Sequence, residues 1–449
     1  MKSVRRPFVS LACAALVACV PGSAQPPAPD ARAALVVGTS GDYSPFSRAT
    51  GAGPAEVEGF DLELARAFAR DEGLAFVAVR FRWPELASDL ARGRFDVAMS
   101  GVTVRPERSV GGRFGVPVAE SGAVALAWPD AAEDLDGLDR PEIRIAVNHG
   151  GHLERVARSR FPAARIVALA DNDAVPRALL AREVDALVSD TLEAPHWQRA
   201  LPGTVRLGPF TRDRKAYLWA PAAAARAWAP EPGARAERMD AWLLAREADG
   251  SLARWRERWL GASGPPTATP LAALLAAVGE RLSLMPLVAE AKRASGAPLR
   301  DRDQEARVLA ATWADVARGA AEAGVPPPGR AAVEAFQRAQ IEAAVALQRD
   351  GLARPARDAA AGFDLEGELR PALLRIGERT AFVLVRLREV PEPDTLRAAL
   401  AAELAPHGLG ADHVEALARA LRALAGPAQE RVSARASSPA TTGSASDTP

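Results

Sequence analysis

Lysine is nearly missing from this 449-residue chain: Lys2, Lys215 and Lys292 are its three copies among 56 basic residues. Asparagine occurs twice, as Asn148 and Asn172, and tyrosine twice, as Tyr43 and Tyr217. A residue type that survives in so few copies marks positions to inspect. Cysteine is confined to Cys13 and Cys19, which excludes an internal disulfide framework in the body of the chain. Neither charge sign is in surplus, with 56 acidic residues against 56 basic, so no overall pull toward nucleic acid or a membrane surface exists. Long hydrophobic runs are lacking too. The apolar stretch near the start is about ten residues long where about 20 are needed to span a bilayer, and no later run is read as a transmembrane segment.

What the opening does have, in "MKSVRRPFVSLACAALVACVPGSAQPP", is a basic start, an apolar stretch and small residues near a plausible cut. These predict an export signal over residues 1–24. Two processing outcomes stay open: cleavage after Ala24, or lipid attachment at Cys19, where "LVAC" is similar to a bacterial lipobox and would give a lipid anchor. Either implies a periplasmic or otherwise exported protein.

The length predicts two or more domains. From 33 to 260, short apolar runs ("AALVVGTS", "FVAVRF", "DVAMSG", "RIAVN", "RIVAL", "DALVSD") alternate with segments of helical period. That alternation predicts an α/β unit whose parallel strands offer their ends to ligands. A Gly- and Pro-rich linker is expected at 261–269, then an all-α unit over 270–426, dominated by Ala, Leu, Arg and Glu. Residues 427–449 are predicted to be a disordered tail, because the closing stretch "SARASSPATTGSASDTP" has no large apolar side chain.

In the first unit, chemistry-bearing clusters stand at strand ends: "GDYSPF", "GVTVRPERS", "VNHGGHLER", "SDTLEAPHW" and "RKAYL". The turn at Asn148, Gly150 and Gly151 precedes a helical run, and unpaired N–H groups at a helix start suit a carboxylate. His149, His152, Glu193 and His196 are weighed as a metal set as well, although their spacing fits no strict ligand pattern.

With "EGFDLELARAFA", "LARGRFDVAMSGVTVRPERS" and "REVDALVSD", these clusters resemble the periplasmic solute-binding fold of amino-acid receptors. "IAVNHGGHLERVA", "DNDAVPRALLAREVDALVSDTLEA" and "RKAYLW" look closer to the cyclohexadienyl dehydratases built on that fold. The resemblance implies two lobes joined by crossovers near "AVALAW" and "KAYLW". It also implies Glu193 as general acid, Lys215 and Arg108 as carboxylate partners, and Trp83 against the substrate ring. Asp42, Ser100, Thr103, Asn148, Gly151 and Asp190 would bind substrate. His152 and Leu153 depart from the small or polar residues expected there.

In the second unit, Arg281 and Lys292 are eleven residues apart, about three helical turns, which predicts one helix presenting both on one side. That spacing, "APLRD", "FQRAQIEAAVALQ" and "GELRPALLRIGER" resemble the secreted branch of all-helical chorismate mutases. Lys292 and Gln348 would then be catalytic, and Arg281, Asp301, Glu305 and Arg370 would bind substrate. Gln304 stands where that family usually has an arginine, with Arg302 and Arg307 as candidate substitutes. The implied ligands are chorismate, prephenate and arogenate, with no cofactor and no metal. Such mutases are often dimeric, so a homodimer is a partner to test. The reading from another class is a non-catalytic receptor for an amino acid or aromatic acid, fused to a mutase.

Overall fold

A computed structural model describes residues 34–221, 232–261, 265–355 and 362–425. The expected signal at 1–24, the tail at 427–449 and positions 262–264 of the expected linker lie outside the described residues.

The first lobe runs through Ala34–Thr39 (β1), Asp42–Tyr43 (β2), Ser47–Ala49 (β3), Val57–Glu58 (β4), Phe60–Asp71 (α1), Ala75–Arg80 (β5), Leu86–Ala91 (α2), Val97–Ala98 (β6), Pro106–Gly111 (α3) and Arg113–Phe114 (β7). The chain crosses at Ala119–Ser121 (β8) into a second lobe. There it forms Ala123–Ala127 (β9), Arg144–Asn148 (β10), His152–Arg160 (α4), Arg165–Leu169 (β11), Ala174–Leu180 (α5), Ala186–Asp190 (β12), Ala194–Gln198 (α6) and Val205–Leu207 (β13). It returns at Asp213–Lys215 (β14) to Leu218–Trp219 (β15).

The two lobes are built on five-stranded sheets, β5-β1-β6-β15-β7 and β11-β10-β12-β9-β13. Parallel neighbours β5, β1 and β6, and β11, β10 and β12, follow from the strand–helix alternation. β15 and β9 enter antiparallel, as strands arriving from the other lobe. β8 and β14 pair with each other, Lys215 opposite Ala119, so the two passages lie side by side as a hinge. The crossover lies just before "AVALAW", at Ala119–Ser121, while Ala123–Ala127 is buried throughout as a strand of the second sheet.

The helical close of the first unit breaks into Pro232–Ala248 (α7) and Ser251–Leu260 (α8) at Gly250, whose φ of 76° favours glycine. Trp255 and Arg258 of α8 bond Glu63 of α1 at 3.1 Å each and seat α8 on the first lobe.

The second unit is Pro270–Ser283 (α9), Met285–Ser295 (α10), Arg302–Glu322 (α11), Arg330–Ala353 (α12), Arg370–Leu384 (α13), Pro393–Leu404 (α14) and Ala411–Ala425 (α15). The single helix expected across Arg281 and Lys292 is interrupted at Leu284, because Pro286 has no N–H for the carbonyl four residues earlier. By length and composition, Pro270–Ser295 does pass as a candidate membrane span, which corrects the reading of no later run. Its most apolar window is 67% buried within the protein, as a core helix is.

The units also share a core. One buried apolar cluster continues from Phe46, Phe60 and Tyr217 through Leu274 and Val278 to Leu400 and Leu404.

Candidate functional site

Between the lobes lies a cavity lined by Tyr43, Trp83, Gly101, Thr103, Arg108, Asn148, Gly151, His152, Leu153, Asn172, Glu193 and Lys215. Its free volume is about 30 Å³, room for only a water or two, and the lobes are closed on each other by bonds from Tyr43 to Asp190 and from Asn172 to the Asp42 carbonyl. Seven residues chosen from the sequence meet here: Trp83, Thr103, Arg108, Asn148, Gly151, Glu193 and Lys215. Asp42, Ser100 and Asp190 do not line it. They stand one layer behind, because their oxygens are already engaged. Asp42 accepts from Trp83 Nε1 at 3.1 Å, Ser100 bonds Ser40, and Asp190 accepts from Lys215 at 3.0 Å, from Tyr43, and from the N–H groups of Leu192 and Glu193.

Glu193 is 1% exposed at the start of α6. Its Oε1 accepts from Asn172 Nδ2 at 2.8 Å and its Oε2 from Ser189 Oγ at 2.9 Å. Burial, reinforced by the Asp190 charge, pushes its carboxyl well above the usual carboxylate range, against the opposing pull of those two hydrogen bonds. For Asp190 burial alone would do the same, but the Lys215 charge and the Tyr43 and backbone donors outweigh it and hold that carboxyl low. Two neighbouring carboxyls are thus driven apart, one toward the acid form and one ionised.

Two cations complete the cavity. Lys215 Nζ donates to Tyr43 Oη at 2.8 Å and Thr103 Oγ1 at 2.9 Å. Arg108 donates to the Thr103 carbonyl at 3.0 Å and lies over the Trp83 ring at 5.6 Å. Among the described residues, no carboxylate lies within ion-pair distance of Arg108. A buried guanidinium without a counter-charge is costly, and an anionic ligand would supply one.

The glycine turn differs in detail from expectation. The N–H of Gly150 is taken by the chain's own Glu154 at 2.7 Å. Gly150 is required for its φ of 73° and because a Cβ would meet Pro84 at 2.5 Å, and Asn148 and Gly151 are what the turn offers the cavity. The weighed metal set is dispersed: His152 bonds Asp213 at 3.0 Å, His149 pairs with Glu154 at 3.1 Å, and His196 is exposed. Among the described residues no group of three or more His, Cys, Asp or Glu is placed to hold a metal. The residues that sequence reasoning passed over are Asn172 and Tyr43 as lining groups. Their rarity in the composition was the available signal.

A second cavity of about 220 Å³ opens in the helical unit. Arg281, Lys292, Asp301, Glu305, Gln348 and Arg370 all line it. The break at Leu284 therefore leaves Arg281 and Lys292 on one cavity. Lys292 Nζ donates to the Leu299 carbonyl at 2.7 Å. Burial and then the Arg370 charge lower its ammonium pKa, and burial lowers Arg281 to about 10. Arg281 Nε and Gln348 Oε1 are buried without a partner, polar atoms of the kind a ligand satisfies. Gln304 lines the same cavity, with its Oε1 accepting from Arg307 at 2.8 Å, whereas Arg302 is exposed. Neither arginine fills the position that Gln304 leaves.

Residues 35–262 match the model of the bacterial extracellular solute-binding proteins, family 3. The chain belongs to that family. The match ends at residue 262 and so does not extend to α9–α15. This family 3 chain is 33% identical over 268 residues to cyclohexadienyl dehydratase of Pseudomonas aeruginosa, covering 58% of this chain and 96% of the relative. It is 25% identical over 222 residues to ABC transporter arginine-binding protein 1 of Escherichia coli, covering 49% and 88%. Of solved structures, an ancestral amino acid-binding protein, a precursor of cyclohexadienyl dehydratase, is similar at 27% identity and a TM-score of 0.46, over 51% of this chain and 96% of that one.

Proposed function

We propose that this family 3 chain is an exported bifunctional enzyme. Its helical cavity rearranges chorismate to prephenate, and its interlobe cavity converts prephenate to phenylpyruvate, or arogenate to phenylalanine. The observation that carries the second step is Glu193, a buried carboxyl held by Asn172 and Ser189 in a cavity with two cations, where burial raises its pKa.

Arg108 and Lys215 take the two carboxylates of prephenate, and Trp83 lies against the ring. Glu193 gives its proton to the ring hydroxyl, the C–O bond breaks, and water leaves. The ring carboxylate departs as carbon dioxide, its bonding pair entering the ring as it becomes aromatic. Glu193 is then reprotonated from solvent. One acid suffices, since aromatisation supplies the driving force.

In the helical cavity no proton moves. Arg281 and Arg370 hold the chorismate carboxylates in the compact conformer, while Lys292 and Gln348 donate to the ether oxygen, where negative charge grows as its bond breaks. The buried, unpartnered Arg281 Nε supports this reading. The two readings support each other, because the product of one site is the substrate of the other.

Incubating the full-length protein with chorismate, and following prephenate and phenylpyruvate together, tests both steps. Prephenate that accumulates unchanged removes the dehydratase step. The arginine-binding relative favours a second reading, a receptor that binds an amino acid or aromatic acid without turnover. Tight binding of prephenate with no product would select it.

A further inference from the structure

Helix α13 has two occupied sides. Arg370, Leu373, Leu374 and Gly377 line the helical cavity, and at 100° per residue they form one stripe. Arg375 and Arg379, four residues apart, project from the opposite side into the first unit. Arg375 Nη2 donates to the Ser109 carbonyl at 3.1 Å and to that of Val110 at 2.9 Å. Arg379 Nη1 donates to the Phe114 carbonyl at 2.6 Å, and its Nη2 pairs with Glu280 of α9. The carbonyls of Ser109 and Val110 belong to the last turn of α3, where the helix has no partners of its own to offer. α3 is the helix that carries Arg108.

A second tie reaches Lys215. Its neighbour Arg214, on β14, donates to Glu403 of α14 at 2.8 Å, with a second bond between the same two groups. Glu403 is 4% exposed and lies flat on α9 at Gly279, where a Cβ would meet its Oε1 at 1.7 Å. Both cations of the interlobe cavity therefore stand on elements anchored by the helical unit.

We propose that Arg375 and the Arg214–Glu403 pair are positioning residues, through which the helical unit holds α3 and β14, and with them Arg108 and Lys215, at the spacing that grips a dicarboxylate. The inference rests on the dehydratase reading of the interlobe cavity. A planar guanidinium donating to two successive carbonyls holds the end of α3 in both distance and direction. Without it α3 shifts, and an ångström of displacement at Arg108 is enough to spoil a bidentate contact. The same helix lines the helical cavity on its other side, so one element links that cavity to α3.

The test uses full-length Arg375→Ala and Glu403→Gln, with prephenate dehydration and chorismate rearrangement measured on the same preparation. In each variant the KM for prephenate should rise about tenfold, within the range usual for coupled sites, with kcat for dehydration little changed. Chorismate rearrangement should stay at the wild-type rate, and Arg375→Lys should recover most of the prephenate KM. A purely structural role would instead lower both kcat values together. An unchanged prephenate KM in a folded variant overturns the proposal, and if one variant fails to fold, the other decides. Wild-type protein that leaves prephenate intact defeats the dehydratase reading instead. The variants are then compared by their affinity for prephenate as an inert ligand, and equal affinities overturn the positioning role.

Discussion

Asn172 ties Glu193 to the first lobe. Its Nδ2 donates at 2.8 Å to Glu193 Oε1 in the second lobe and at 2.8 Å to the Asp42 carbonyl in the first. The acid is therefore oriented by a side chain that also bonds the other lobe, and burial is the largest influence on its raised pKa.

Glu193→Gln keeps the size and hydrogen bonding of the acid but has no proton to give. Prephenate dehydration should fall by roughly two to four orders of magnitude, as is typical of a lost general acid, with prephenate binding retained. Burial raises the Glu193 pKa, so the acid form persists toward neutral pH, and wild-type kcat should decline as pH rises through that raised value. The variant's residual rate should lack that alkaline limb. Dehydration at the wild-type rate in the variant would exclude Glu193 as the acid.

Asn172→Ala separates orientation from protonation. The Asn172 hydrogen bond stabilises ionised Glu193 and lowers its pKa; removing it should raise that pKa further. The alkaline limb of the kcat profile should move to higher pH in the variant. A shift to lower pH would mean that water entering the cleft outweighs the lost bond.

Lys292→Ala should slow chorismate rearrangement by at least about a hundredfold, the scale of one lost electrostatic donor, with a smaller change in KM, because the contact to the ether oxygen strengthens in the transition state. Near-normal turnover would remove Lys292 from the site. Gln304→Arg should retain or improve chorismate binding by restoring a cation on the cavity wall.

Arg379→Met strips the counter-charge from Glu280. Both groups are buried, at 2% and 5% exposure, and breaking one side of a buried pair typically costs about 3–5 kcal/mol. The urea midpoint of the full chain should drop accordingly. A loss below about 1 kcal/mol would indicate that Glu280 finds water or another donor.

Local pattern in the sequence determined the strands, the alternation that makes parallel sheets, and the change of texture near residue 261. It also carried the residue types of both cavities, because rarity and spacing survive without coordinates: Lys215, Lys292, Glu193, Arg108 and Gln348 all line a cavity. The glycine turn after Asn148 was legible as a turn before a helix, but the left-handed φ of Gly150 and the capture of its N–H by Glu154 were not.

Tertiary structure decided which of these groups a ligand can reach. Asp190 and Asp42 sit at the expected strand ends, yet their oxygens are consumed by Lys215, Tyr43 and Trp83, partners from distant segments. The partnership of Asn172 with Glu193 crosses between strand ends, and the grip of Arg375 on Ser109 and Val110 spans more than half the chain. No periodicity encodes such pairings. They depend on how two sheets close about β8 and β14 and on how α13 docks, and those follow from packing of the whole apolar surface rather than from any local run.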